Sequence, residues 1–249
     1  EKYLDDRGAL YTASLGDTIE RSTQPAQLSI DIRVQDAVLD EVSKAITKFN
    51  AIAGGGIVMD IDTGEVLSLV SLPDFNPNQE NKNFSREQQN RMTAGVYELG
   101  SVVKAATFAM ALDYGTATLD SRYDARFPLV IGRARINDFH ATRRILTLPE
   151  VFTNSSNIGT AKMALDVGTD RHQEFLRKVG LFDRLQTELP ESARPLLPKH
   201  WSKLATAQIA FGQGFAVQPL QGAAVVAGLL NGGELMTPTF LVRDEATAK

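Results

Sequence analysis

The chain of 249 residues contains no cysteine. That excludes disulfides, zinc–thiolate sites and a cysteine nucleophile. It suits an oxidising compartment without demonstrating one. Histidine is scarce too. His140, His172 and His200 have no metal-ligand spacing, so neither a metal nor a cofactor is expected. Positive charge is not in excess: 26 Lys and Arg face 30 Asp and Glu, a net charge of −4. This argues against nucleic acid as a partner. Long apolar runs are missing as well. The longest, Gly222–Leu230, is far short of the roughly 20 residues of a membrane span, so any anchor is expected outside this chain. A phosphate-cradling loop is also absent, because Gly54-Gly55-Gly56 leads into a strand rather than a helix.

What is present suffices for a buried core, with 43% apolar and 22% charged residues. Residues 1–27 are polar and read as a connector. Leu28–Asp31 alternates like a short strand, and Val34, Val38, Val42 and Ile46 mark one face of a helix over 34–49. Gly54–Asp60 and Glu65–Ser71 form a hairpin across an Asp-Thr-Gly turn. A polar loop follows to about Thr93. Gly100–Asp113 predicts a helix apolar nearly all round, as central helices are. Beyond Leu146 the pattern is mostly helical, over 149–153, 157–167, 171–179, 200–211 and 218–230, with a last strand over 239–243. The class is α+β, with a sheet short of strands.

Ser101 and Lys104 stand three apart at the head of the apolar helix, so they share a face with Cβ atoms about 5–6 Å apart. A neutral lysine there can take the serine proton and release a nucleophile. Burial and the positive end of the helix dipole both favour the neutral amine. The helix start also offers free N–H groups, including that of Ser101, to a developing oxyanion. A Ser-x-x-Lys arises about once by chance in a chain this long. Its position decides, because a lysine in an apolar helix has no cheap structural reason to be there. The second cluster, Ser155-Ser156-Asn157, has two readings. It is a set of helix N-caps, or Ser155 relays protons while the Asn157 amide binds a peptide.

Together, Ser101-x-x-Lys104 and Ser155-x-Asn157 resemble the penicillin-recognising serine enzymes, whose motifs are Ser-x-x-Lys, Ser-x-Asn and Lys-Thr-Gly. The flanks narrow the resemblance. They are Val58-Met59-Asp60 through Thr63-Gly64-Glu65 to Pro73-Asp74-Phe75-Asn76-Pro77, Tyr97-Glu98-Leu99-Gly100, Ile158-Gly159 with Lys162, and Phe211-Gly212-Gln213-Gly214 through Pro219-Leu220-Gln221 to Asn231-Gly232-Gly233. From about Leu28 to Leu241 the chain is similar to a class B penicillin-binding protein transpeptidase domain. Ser-x-Asn rather than Ser-x-Asp points to the cell-division type.

The resemblance implies a β-lactamase/transpeptidase-like fold, an antiparallel sheet flanked by helices plus an all-helical subdomain. It implies acyl transfer on peptidoglycan stem peptides, with D-alanine released and a crosslink formed, and covalent capture of β-lactam antibiotics. Ser101 is then nucleophile, Lys104 general base, Ser155 proton shuttle and Asn157 the holder of the substrate amide; Ser101, Ser155 and Asn157 bind substrate. Other cell-division membrane proteins are implied as partners. The implied setting is the periplasmic face of a bacterial inner membrane, through an N-terminal anchor outside this chain.

Two departures stand out. Leu99 replaces the usual proline, and the chain holds no Lys-Thr-Gly or Lys-Ser-Gly. The expectation is a piece of a longer protein: a connector over 1–27, then an incomplete transpeptidase domain over 28–249 whose later strands are missing. A serine β-lactamase or β-lactam sensor remains the alternative, as does a non-catalytic division scaffold. Lys162 is expected to be solvated, Gln213 either to line the cleft or to sit in a plain loop, and Trp201 to lie in the core. The arginines 133, 135, 143 and 144, with Asp138 and His140, are expected to form a solvated loop.

Overall fold

The computed structural model describes residues 2–4, 10–12, 26–76 and 89–243. The chain opens with β1 (Lys2–Leu4) antiparallel to β2 (Leu10–Thr12), where an irregular connector was expected. The rest of the connector, positions 77–88 of the polar loop and 244–249 fall outside the described residues.

Helix α1 (Ile32–Phe49) is capped by Asp31, whose carboxylate accepts the Arg33 N–H. The hairpin forms as β3 (Gly54–Met59) and β4 (Val66–Leu72), antiparallel, with a bulge at Val58/Met59. Asp60 closes the turn, its Oδ1 accepting from Asp62 N, Thr63 N and Thr63 Oγ1. These bonds hold its carboxyl below the usual range.

The three glycines of β3 have a packing reason. A Cβ at Gly54 would meet Val42 and Ile46, and one at Gly56 would meet Val38 at 2.6 Å, so the α1 stripe lies directly on this face. Gly55 points to the other face, where a Cβ would meet Met92. On that side Val66, Leu220 and Phe240 cluster with Ile57 and Leu69. The two terminal strands expected from the sequence reduce to isolated bridges, Leu28 with Leu241 and Glu65 with Thr239. Each strand adds only a rung, so among the described residues the sheet beside α1 is two-stranded.

The helical block starts at a 3₁₀ turn, Gly100–Val103, that runs into α2 (Lys104–Asp113). The following stretch makes β5 (Arg122–Asp124), β6 (Leu129–Ile131), β7 (Ala134–Ile136) and β8 (Ile145–Thr147). Strand β5 pairs with β8 and β6 with β7. Strands of three residues are too short for alternation to reveal, and the sequence reading missed all four. Then come α3 (Leu148–Thr153), α4 (Asn157–Val167), α5 (Thr169–Lys178), α6 (Lys203–Ile209) and α7 (Pro219–Leu230), close to the expected spans.

The core lies here. Met110, Leu146, Met163, Leu176 and Ile209 are wholly buried, each worth roughly 1.5–3 kcal/mol. Trp201 packs against this core as expected, donating its Nε1–H to Thr206 Oγ1. No helix among the described residues is long and apolar enough to cross a membrane.

Candidate active site

The site is built where α2 meets α4. Leu99 sits at φ −73°, inside the range that proline would impose, so its replacement of proline leaves the entry to the turn unchanged. Gly100 donates its N–H to Gly212 O at 3.3 Å. The two backbones are so close that a Cβ on Gly212, already at φ +82°, would lie 2.0 Å from Gly100 O. Glu98 Oε1 accepts the Gly214 N–H at 2.9 Å. The Phe211–Gly214 segment therefore braces the serine turn through backbone contact, while the Gln213 side chain is exposed.

The expected continuous helix is split. Residues Gly100–Val103 wind as 3₁₀, and α-helix begins only at Lys104. The tighter winding brings positions i and i+3 almost into line. Ser101 is exposed at the surface, whereas Lys104 is 2% exposed. The Lys104 ammonium donates to Ser155 O at 2.5 Å and to Ser155 Oγ at 2.8 Å. Ser155 Oγ in turn donates to Ser101 Oγ at 3.0 Å. The lysine thus reaches the Ser101 hydroxyl through Ser155 rather than directly. Burial pushes the Lys104 ammonium down to about 8, against an opposing pull from the Asp138 carboxylate.

Ser155 holds the left-handed conformation, φ +52°, a strain of roughly 1–3 kcal/mol for a non-glycine residue. Its neighbours hold it there. Ser156 caps α4, accepting the Gly159 N–H at 3.0 Å while donating to Asp138 Oδ2 at 2.8 Å. Asp138 Oδ1 accepts the Ile158 N–H at 2.9 Å. Asn157 is half-buried and donates one amide hydrogen to Asn137 O at 3.1 Å, leaving its Oδ1 and second hydrogen available. Ser156 is the cap of α4, and Ser155 meets Lys104 and Ser101.

Of the four residues singled out from the sequence, Ser101, Lys104 and Ser155 are joined by hydrogen bonds, while the Asn157 side chain bonds to Asn137 at the head of α4. Two expectations are corrected. Lys162 is half-buried rather than solvated: it donates to Asp124 O at 2.6 Å and ties β5 to α4. Asp138 is not part of a solvated loop, because its two oxygens are spent on the head of α4. The surrounding Arg133, Arg135, Arg143, Arg144 and His140 are exposed as expected. Asp138, Glu98 and Gly212 are the supporting residues that sequence reasoning missed or left without a role. Among the described residues no cluster of His, Cys, Asp and Glu could hold a metal.

A serine hydroxyl, a depressed lysine and a second serine between them stand at the junction of two helices. The chain belongs to the penicillin-binding protein transpeptidase domain family, whose model matches residues 54–249. It is 45% identical over 216 residues to the probable peptidoglycan D,D-transpeptidase FtsI of Caulobacter vibrioides, covering 87% of this chain and 37% of that protein. It is 31% identical over 224 residues to the peptidoglycan D,D-transpeptidase FtsI of Escherichia coli, covering 89% and 38%. The chain thus spans less than two fifths of the length of these relatives. Among solved structures, the apo transpeptidase domain of Burkholderia pseudomallei penicillin-binding protein 3 superposes with a TM-score of 0.78 at 30% identity, over 91% of this chain and 64% of that one. A structure described as a peptidoglycan glycosyltransferase from Burkholderia ambifaria gives 0.78 at 29%, over 88% and 66%. The expected transpeptidase-like α+β fold is the one observed.

Proposed function

We propose that this chain is the catalytic part of a peptidoglycan D,D-transpeptidase of the cell-division type, with Ser101 as nucleophile. The observation that carries the reading is the chain of contacts from Lys104 Nζ through Ser155 Oγ to Ser101 Oγ, at 2.8 and 3.0 Å. With Lys104 at about 8, roughly one molecule in ten carries a neutral amine at pH 7. In that state the Ser155 hydroxyl turns its proton toward Lys104 and accepts one from Ser101. Ser101 Oγ then attacks the carbonyl of the D-alanyl-D-alanine bond. The C–N bond breaks, and the proton returns through Ser155 to the departing D-alanine amine. An amine of a neighbouring stem peptide then attacks the ester, restores Ser101 and forms the crosslink. The free atoms of the Asn157 amide hold the substrate backbone, and the Ser101 N–H at the turn faces the developing oxyanion.

β-Lactams acylate Ser101 by the same attack, and the lactam nitrogen stays tethered to the product. The wider setting belongs to the same proposal: an extracytoplasmic domain anchored outside this chain, working beside other division proteins. Relatives named as D,D-transpeptidases support it.

Intact-mass measurement on the full-length protein after benzylpenicillin tests it. One long-lived adduct is expected on the wild type and none on Ser101→Ala. Lys104→Ala should slow acylation by about 10²–10⁴-fold. Rapid loss of the adduct would mark a β-lactamase, and absence of any adduct a non-catalytic scaffold.

A further inference from the structure

We propose that Asp138 is a positioning residue for acyl transfer, holding Ser155 and Asn157 in place through the head of α4 while setting the charge around Lys104. The inference rests on the proposed role of Ser101 and Lys104. Asp138 lies on the strap between β7 and β8, 17 positions before Ser155 in sequence. Its carboxylate is shared between two neighbours of the catalytic pair, Ser156 Oγ at 2.8 Å and Ile158 N at 2.9 Å. The preceding residue, Asn137, accepts from the Asn157 side chain. One strap therefore grips three successive residues, Ser156, Asn157 and Ile158, directly after Ser155.

The consequence falls on Ser155. It is the residue just before the gripped segment, and it holds a left-handed φ that an untethered serine would leave. Relaxation would carry Ser155 Oγ away from both Lys104 and Ser101, breaking the path at its middle. The grip also keeps Ser156 from competing. Its hydroxyl hydrogen is committed to Asp138 and one lone pair to Gly159 N–H, and the link from the lysine to Ser101 runs through Ser155.

The second effect is electrostatic. The charged groups flanking the two motifs are engaged elsewhere. Glu98, ahead of the 3₁₀ turn, gives its carboxylate to Gly214 N–H. Lys162, on α4, is bound to Asp124 O. His140, next on the strap, packs edge-on against Phe139. Asp138 is the group whose charge acts on Lys104, and it favours the ammonium form. It therefore keeps the amine from being neutral too early, and leaves a stronger base once the proton is lost.

The test is the pH dependence of benzylpenicillin acylation in the full-length protein, with Asp138→Asn, Asp138→Glu and Ser156→Ala. Asparagine keeps the size but loses the charge and one acceptor. The expected result is an acylation rate about 10-fold lower, with the acid limb of the profile moved to lower pH. Asp138→Glu should return the limb to its wild-type position without recovering the full rate. Ser156→Ala, which keeps the carboxylate, should lower the rate and leave the limb in place. A rate and limb unchanged in Asp138→Asn would overturn the proposal. So would a uniform fall in rate with a fixed limb, which is what loss of mere structural support produces. Should Asp138→Asn not fold, a fully wild-type rate in Asp138→Glu overturns the positioning role and a reduced one sustains it. Failure of the wild type to label at Ser101 would instead refute the underlying catalytic reading.

Discussion

The Ser101 and Ser155 turns meet through a hydrogen bond but are held by opposite means. The Ser101 turn is fixed by crowding: apolar packing under Val103 and the Gly212 backbone pressed against Gly100. The Ser155 turn is fixed by polar bonds, to Asp138, Ser156, Asn137 and Lys104. Crowding is insensitive to charge and intolerant of added volume. A polar clasp tolerates volume at its exposed edge and fails when a charge is removed. Lys104 joins the two, rooted in the crowded side and bonded to the polar one.

The largest effect should come from adding one methyl group to the crowded side. In Gly212→Ala the new Cβ would sit 2.0 Å from Gly100 O, on a backbone at φ +82°. The strain alone costs about 1–3 kcal/mol, and the clash forces Gly100 and Ser101 to move. Displacement of a nucleophile by around 1 Å costs about 10²-fold in rate. Stopped-flow acylation should show that loss. A variant within threefold of the wild type would mean that crowding does not define the turn.

An intermediate effect should reach both turns at once. Helix α5 packs on α2 and α4 and buries His172 completely, with neither ring nitrogen hydrogen-bonded. Burial drives the imidazolium down to about 4, from 6.5 in the unfolded chain. The unfolded state therefore binds a proton between these values and the native state does not. Stability is fully present above pH 6.5 and is lost as the pH falls toward 4, by roughly 3 kcal/mol. Urea midpoints at pH 7 and pH 5 should show the decline, and His172→Phe should flatten it. An equal decline in His172→Phe would place the acid sensitivity elsewhere.

The difference between the two turns also explains what the sequence disclosed. Crowded elements leave a local record. Spacing placed α1, a turn signal the β3–β4 hairpin and near-continuous apolar content α2, whose few polar residues included Ser101 and Lys104. A polar clasp assembled over distance leaves none. Asp138 lies among arginines in a stretch of three-residue strands, and nothing near it in sequence shows that its carboxylate turns inward to α4. The bracing of the Gly100–Val103 turn was hidden for a related reason: the Gly212 backbone pressed against it lies more than a hundred residues away. The relay from Lys104 to Ser101 through Ser155 likewise becomes visible only when two helix starts are brought together.

The smallest effect sharpens the comparison most directly, because it asks whether crowding at the Ser101 turn is a tuned fit. Leu99 Cδ1 lies where the Cβ of Gly222 would be, at 2.4 Å, so the leucine that replaces the usual proline is matched by a glycine in α7. Leu99→Pro should keep the turn, since φ is already −73°, and acylation should stay within about threefold. In the wild-type background Gly222→Ala must push Leu99 aside, which offsets the roughly 1 kcal/mol that alanine gains over glycine in a helix. In the Leu99→Pro background that obstruction is gone, and the gain should appear. The double-mutant cycle is therefore expected to show a favourable coupling of about 1 kcal/mol. Additive Tm changes would mean that Leu99 already yields freely, and that crowding at this turn ends with Gly212.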